Sequence, residues 1–250
     1  MARIALIADV HGNLEAFEAV LRAIGEADAD CIVCLGDVVG YGPDPGACVD
    51  LVYEACDAVV MGNHDEAAIT PGLGENFNPA AFHSLCYTRN ALSLAQKSAI
   101  RSWPANFEKA GAAFTHGSFG ARRYTYITNR QTAGDALDAL QHDIGAVGHT
   151  HIPSAFVAPL LDFRGAGQTR SLQLPTDVRF DIPDGHRCIV NPGSVGQPRD
   201  RNPDASWGLL DTESRTFQIL RTAYDIDLVE WKIQRAGLPD FLGERLRIGA

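Results

Sequence analysis

Residues 3–8 (RIALIA), 31–35 (CIVCL) and 57–61 (DAVVM) are short apolar runs separated by stretches of helical character. After the first run, Leu14, Phe17, Val20, Leu21 and Ile24 recur at helical spacing. Glu15, Glu18 and Arg22 fall on the opposite face, and Asn13 stands where an N-cap belongs. The Gly/Pro loop GYGPDPG follows the second run and leads to a second helix near 46–56. A βαβαβ order of this kind commits the chain to a parallel sheet with right-handed crossovers, hence to an α/β fold. Ligands of such sheets bind beyond the carboxyl ends of the strands.

Residues 65–109 are polar and helix-prone, with the breakers Pro71, Gly72, Gly74 and Pro79 near their start. They read as a helical insertion of two helices, about 78–86 and 88–102. The remainder is strand-rich, with strands expected at 112–115, 123–127, 144–147, 155–160, 170–174, 187–190, 206–210 and 216–221. A helix is expected over 132–141 and two more near 226–235 and 238–246. With no internal repeat and no long linker, the 250 residues read as a single domain carrying the insertion. The apolar residues of the last segment, Leu228, Trp231, Ile233, Leu238, Phe241 and Leu242, are expected to pack on that same domain.

The hydrophobic fraction of 46% supplies a core, yet no apolar run approaches the ~20 residues of a membrane span. The opening MARIALIADVHGN lacks the shape of a signal peptide, so a cytoplasmic chain without a membrane partner is expected. A net charge of −10 argues against non-specific binding to nucleic acid but not against a small phosphorylated substrate. Cys31 and Cys34 form a CxxC inside the apolar run CIVCLG, which reads as a pair of buried thiols.

Polar blocks follow these runs: Asp9-Val10-His11, Gly36-Asp37, Gly62-Asn63-His64-Asp65, Thr115-His116-Gly117 and Gly148-His149-Thr150-His151. Five of the eight histidines fall in them. In extended backbone, residues i and i+2 share a side, so Asp9 with His11, and His149 with His151, can each reach one centre. Carboxylate, imidazole and amide donors together suit Mn, Fe or Zn rather than Ca. A lone aspartate such as Asp37 suits a bridge between two ions.

The ordered series DxH, GD, GNHD, H and GHTH resembles the calcineurin-like metallophosphoesterase superfamily over roughly residues 1–200. The resemblance implies a four-layer α/β/β/α sandwich and two divalent metal ions, Mn ahead of Fe, Zn or Ni. It implies that Asp9, His11 and His151 bind the first ion, Asn63, His116 and His149 the second, and that Asp37 bridges them. It gives His64 contact with the phosphate and protonation of the leaving oxygen. The implied reaction is attack in line by a hydroxide lying between two cations on a small phosphate ester, a nucleotide being one plausible class.

One block departs from the pattern. Where protein Ser/Thr phosphatases and diadenosine-tetraphosphatase-like members carry GDxxDRG, this chain has Gly36-Asp37-Val38-Val39-Gly40-Tyr41-Gly42. Gly40 stands for the aspartate that would orient the catalytic histidine, and Tyr41 for the arginine that would grip phosphate. What remains resembles the small prokaryotic phosphodiesterase branch, as does the stretch 191–200 (NPGSVGQPRD). Arg199 is a candidate replacement for the missing arginine, and Tyr41 and Phe77 are candidates to stack on a substrate ring. His83, His142 and His186 lie outside the blocks and read as structural or solvated, with His83 a candidate for the substrate mouth. The rival readings are a non-catalytic scaffold of the same fold and a protein Ser/Thr phosphatase.

Overall fold

The computed structural model describes residues 3–160 and 168–250. Among these, the strands are β1 (Arg3–Ile7), β2 (Cys31–Cys34), β3 (Ala58–Val59), β4 (Asn106–Lys109), β5 (Ala112–Thr115), β6 (Ile144–Ala146), β7 (Ser154–Pro159), β8 (Arg170–Leu172), β9 (Arg179–Asp181), β10 (His186–Asn191), β11 (Ala205–Asp211) and β12 (Thr216–Thr222). The helices are α1 (Leu14–Glu26), α2 (Pro45–Ala55), α3 (Asn63–Ile69), α4 (Pro79–Ala91), α5 (Leu94–Arg101), α6 (Arg130–Ala139), α7 (Ile226–Arg235) and α8 (Phe241–Glu244), the last running into a 3-10 turn at Arg245–Ile248.

The strands form two six-stranded sheets, ordered β3-β2-β1-β11-β12-β9 and β4-β5-β6-β10-β7-β8. β1, β2 and β3 are parallel, as the βαβαβ order requires. β11 returns from late in the chain and pairs antiparallel to β1, Leu6 facing Gly208. Side-chain alternation then divides the core into layers. Ile4, Leu6, Val33 and Leu35 of the first sheet meet Phe114, Ala146, Val157 and Val190 of the second between the sheets. Ala5 and Ile7 point the other way, onto Phe17, Val20 and Ile24 of α1. Ala113 and Ile189 point outward from the second sheet onto Ala133, Ala136 and Leu137 of α6. This is the expected α/β/β/α sandwich, its central strands buried on both faces and its edge strands β4, β8 and β9 largely exposed.

Several expectations need correction. Residues 123–127 are not a strand but part of an irregular loop. Their β-prone composition finds no place beside β5, the strand they follow, because β5 is already paired by β4 on one side and β6 on the other. The helices of the insertion break at Leu92-Ser93 rather than near residue 87, where Ser93 and Gln96 form a capping box. Helix α3 was not anticipated, and the end of the insertion is strand β4. The last segment packs only in part as expected. Ile233, Leu238 and Leu242 are buried against Tyr41 and Ala81, whereas Leu228, Trp231 and Phe241 are exposed. The CxxC pair is buried, and all six cysteines are free thiols.

Candidate metal centre

The polar blocks sit where the strands stop. Asp9 N–H donates to the Gly36 carbonyl at 2.9 Å and His11 N–H to the Asp37 carbonyl at 2.9 Å, so the chain leaves β1 and β2 side by side. It does so in an uncommon conformation. Asp9 (φ 54°), His11 (50°), Asp37 (54°), His149 (68°) and His151 (61°) all have left-handed backbones. Each such non-glycine residue costs roughly 1–2 kcal/mol and persists only where its surroundings over-determine it. Asp65 supplies much of that constraint, accepting from the backbone N–H of Asp37 (2.8 Å), Gly62 (3.0 Å) and Val39 (3.1 Å). Ser194 Oγ donates to the Asp9 carbonyl at 2.8 Å, and Asn191 Nδ2 to the Gly148 carbonyl at 2.7 Å.

Side chains from four of the five blocks converge in two adjoining clusters, Asp9-His11-His151 and Asp37-His116-His149, every residue buried, and Asn63 of the fifth block adjoins the second. In the first, His11 Nε2 lies 3.1 Å from His151 Nε2, and Asp9 Oδ1 lies 3.5 Å from the latter. In the second, His116 Nε2 lies 3.0 Å from His149 Nδ1, 3.2 Å from Asn63 Oδ1 and 3.2 Å from Asp37 Oδ2. Asp37 Oδ2 is also 3.8 Å from His11 Nε2, so this one carboxylate oxygen faces both clusters. His149 and His151 therefore serve different clusters, contrary to the reading from strand alternation. Their positive φ values remove the extended geometry on which that reading depended.

The donor set fits cations. Each imidazole has its outer nitrogen on a backbone carbonyl: His11 Nδ1 on Val39 (3.0 Å), His116 Nδ1 on Leu35 (2.8 Å), His149 Nε2 on Tyr124 (3.0 Å) and His151 Nδ1 on Gln197 (2.6 Å). A carbonyl only accepts, so the N–H must be on that outer nitrogen in a neutral ring. The other nitrogen then presents a lone pair inward. Two such lone pairs face each other about 3 Å apart in each cluster, an arrangement that a cation relieves and that outer-shell carbonyls commonly orient.

Titration favours the neutral ring for three of the four histidines and the charged ring for His116. Burial lowers His11 and His151 well below the usual histidine value, and burial with the charge of His116 lowers His149 to about 3. Burial raises Asp9 to about 8. His116 runs against its own burial, raised to about 9 by Asp37, which His116 and His64 in turn hold well below the usual carboxylate range.

His64 lies on the first turn of α3, its N–H donating to Asp37 Oδ1 at 2.8 Å. Its buried ring packs edge-on to His11 (centroids 4.9 Å) and against Tyr41 and Phe77 (4.7 Å each). Its Nδ1 is buried without a hydrogen-bond partner. Gly40 explains this. A Cβ at Gly40 would lie 2.5 Å from His64 Nδ1, so the ring itself fills the space a side chain at position 40 would need. Tyr41 has φ 59° and is buried under the terminal helices, with Arg199 Cζ 5.8 Å above its ring. Arg199 is half-buried, donating to Gln197 Oε1 at 2.7 Å, with its N–H on the His151 carbonyl at 3.2 Å. Of the candidates to stack on a substrate ring, Tyr41 is thus committed to protein contacts.

His83 is exposed on α4, His142 pairs with Glu108 at 2.9 Å, and His186 caps the Asp184 carbonyl. None joins the clusters. Sequence reasoning missed Tyr124 and Tyr126. The Tyr124 carbonyl orients His149, and the Tyr126 ring stacks on His149 at 3.9 Å. Their alternation with Arg123 and Thr125 looked like a strand, and no local signal placed them at the site.

Paired aspartate–histidine clusters at the strand ends of a double-sheet sandwich are groups that could hold metal ions, and they point to the class of metal-dependent hydrolases. Comparison with known proteins makes the class specific. The Calcineurin-like phosphoesterase superfamily domain matches residues 2–215, and the chain belongs to that family, whose members are metal-dependent phosphoesterases. It is 32% identical to the uncharacterised protein MJ0912 of Methanocaldococcus jannaschii, over 98% of both chains. A metallophosphoesterase from Sphaerobacter thermophilus superposes with a TM-score of 0.86 at 33% identity, covering 100% of this chain and 99% of that one. Phosphodiesterase YfcE of Escherichia coli K12 is 24% identical over 85% of this chain and 89% of its own. No helix among the described residues is long and apolar enough to cross a membrane.

Proposed function

We propose that this chain is a metal-dependent phosphodiesterase acting on a small phosphate ester through a two-metal centre. The observation that carries the reading is the convergence of four imidazole nitrogens on two points that share Asp37. Asp9, His11 and His151 would hold one ion, Asn63, His116 and His149 the other, with Asp37 between them. The ions would neutralise the phosphate and acidify a water held between them. The donor set, nitrogen and oxygen without thiolate, suits manganese, with iron, zinc or nickel as alternatives.

The chain's own residues supply the rest. Asp65 and Ser194 hold the ligand loops in their strained shape, so the site is preorganised. Arg199 places a fixed positive charge at the site, close enough to lower the pKa values of His11, His64 and His151. Burial sets His64 to about 4, so its imidazole is neutral near pH 7. A neutral ring donates one N–H, and an arriving phosphate is the charge that would favour its protonated form and proton transfer to the leaving oxygen. The absence of a carboxylate at Gly40 and of an arginine at Tyr41 weighs against a protein phosphatase. The presence of every ligand and of His64 weighs against a scaffold. Six free thiols suit the reducing cytoplasm.

The test is hydrolysis of bis-p-nitrophenyl phosphate beside p-nitrophenyl phosphate by metal-stripped protein reloaded with Mn²⁺, with His64→Ala as control. Metal-dependent turnover favouring the diester, and lost in the control, is expected. No turnover with either ester, despite bound metal, would refute the assignment.

A further inference from the structure

Tyr126 is in an unusual position for a loop tyrosine. Its ring lies 3.9 Å from that of His149 with an interplanar angle of 19°, a stack directly on a candidate metal ligand. It nevertheless keeps 49% of its surface exposed. Its hydroxyl has no hydrogen-bond partner among the described residues. Its ring thus lies against the second cluster, of which His149 is a member, while its free edge is open to an arriving ligand.

The loop holding it is anchored on both sides. Arg123 pairs with Glu66 at 2.5 Å, and Tyr124 Oη donates to the same carboxylate at 2.8 Å. The Tyr124 carbonyl accepts from His149, and Ile127 is buried against α6. Tyr126 between them is therefore held in place at no ordering cost when a ligand arrives. A rigid, unpaired O–H donor beside a centre that faces Arg199 is what a phosphoryl oxygen requires.

We propose that Tyr126 is a substrate-contacting residue, its hydroxyl donating to a non-bridging oxygen of the bound phosphoryl group on the side of the centre lined by His149. The inference rests on the phosphoesterase reading and goes beyond it. In the GDxxDRG members an arginine is expected to grip phosphate, and here Tyr41 at that position is buried under the terminal helices. Tyr126 would supply a donor from a different loop.

The experiment compares wild type with Tyr126→Phe, both reloaded with Mn²⁺, and reads orthophosphate binding by calorimetry, KM for bis-p-nitrophenyl phosphate, and metal content. The Phe variant keeps the stack on His149 and removes only the hydroxyl. Orthophosphate affinity is expected to fall roughly tenfold or more, as for a hydrogen bond to a charged oxygen, with metal content unchanged. Affinity within twofold of wild type, or loss only in proportion to lost metal, would overturn the assignment. Wild-type protein that turns over the diester while Tyr126→Phe matches it refutes this inference alone. Wild-type protein that neither hydrolyses the ester nor binds orthophosphate refutes the phosphoesterase reading, and this inference with it.

Discussion

Gly40→Ala is the most exacting test of how His64 is placed. Gly40 has φ 93°, and a Cβ there would meet His64 Nδ1 at 2.5 Å and Cγ at 3.1 Å. Restoring an ordinary 3.4 Å contact requires moving the ring by about 0.9 Å. The ring has little room, being wedged between His11, Tyr41 and Phe77. A displacement of about 1 Å in a reacting group typically costs on the order of 10²-fold in rate. The positive φ adds roughly 1–2 kcal/mol of backbone strain. The variant should therefore lose about two orders of magnitude in kcat on bis-p-nitrophenyl phosphate, lose a few degrees in Tm, and still bind two metal ions, because His64 is not among the ligands. The assay pairs initial rates with metal content and a thermal melt. Wild-type kcat in a folded, metal-loaded Gly40→Ala protein would refute the claim that position 40 must be empty for His64 to work.

Asp65→Ala removes the acceptor of three buried backbone N–H groups. At about 1–3 kcal/mol for each orphaned donor, the loss should be at least ~3 kcal/mol, visible as a lower urea midpoint of the metal-free protein. A cost under ~1 kcal/mol would mean water replaces the carboxylate. The metal-free protein should also lose stability on acidification. His64 (about 4) and His149 (about 3) have folded values below the unfolded histidine value of about 6.5, so between these limits the unfolded chain binds more protons. Their contribution is fully present above pH ~6.5 and is lost as pH falls toward 4 and then 3, with His11 and His151 acting in the same direction; Asp9 (about 8) and Asp65 (about 7), raised by burial, oppose them but are outnumbered by the four rings. A Tm that stays flat from pH 6.5 to 4 would contradict the buried, neutral state of these rings.

Sequence alone determined the class of fold and named the candidate ligands, because both depend on local order. Apolar runs alternating with helical stretches force a parallel sheet, and the ends of parallel strands lie together, so blocks such as DVH and GNHD had to meet. Only the tertiary structure decided how they meet. His149 and His151 separate into different clusters because their backbones are left-handed rather than extended, with long-range bonds from His149 N–H to Asp9 Oδ2 and from the His151 ring to the Gln197 carbonyl. Residues 123–127 have strand chemistry but the strand before them, β5, is paired on both sides, and they form the loop that brings Tyr124 and Tyr126 to the site. The departure at Gly40 was visible as a missing carboxylate, whereas its cause, a histidine ring filling the same volume, is a packing fact contributed by α3. Propensity and periodicity describe neighbours along the chain, and these three outcomes were set by neighbours across it.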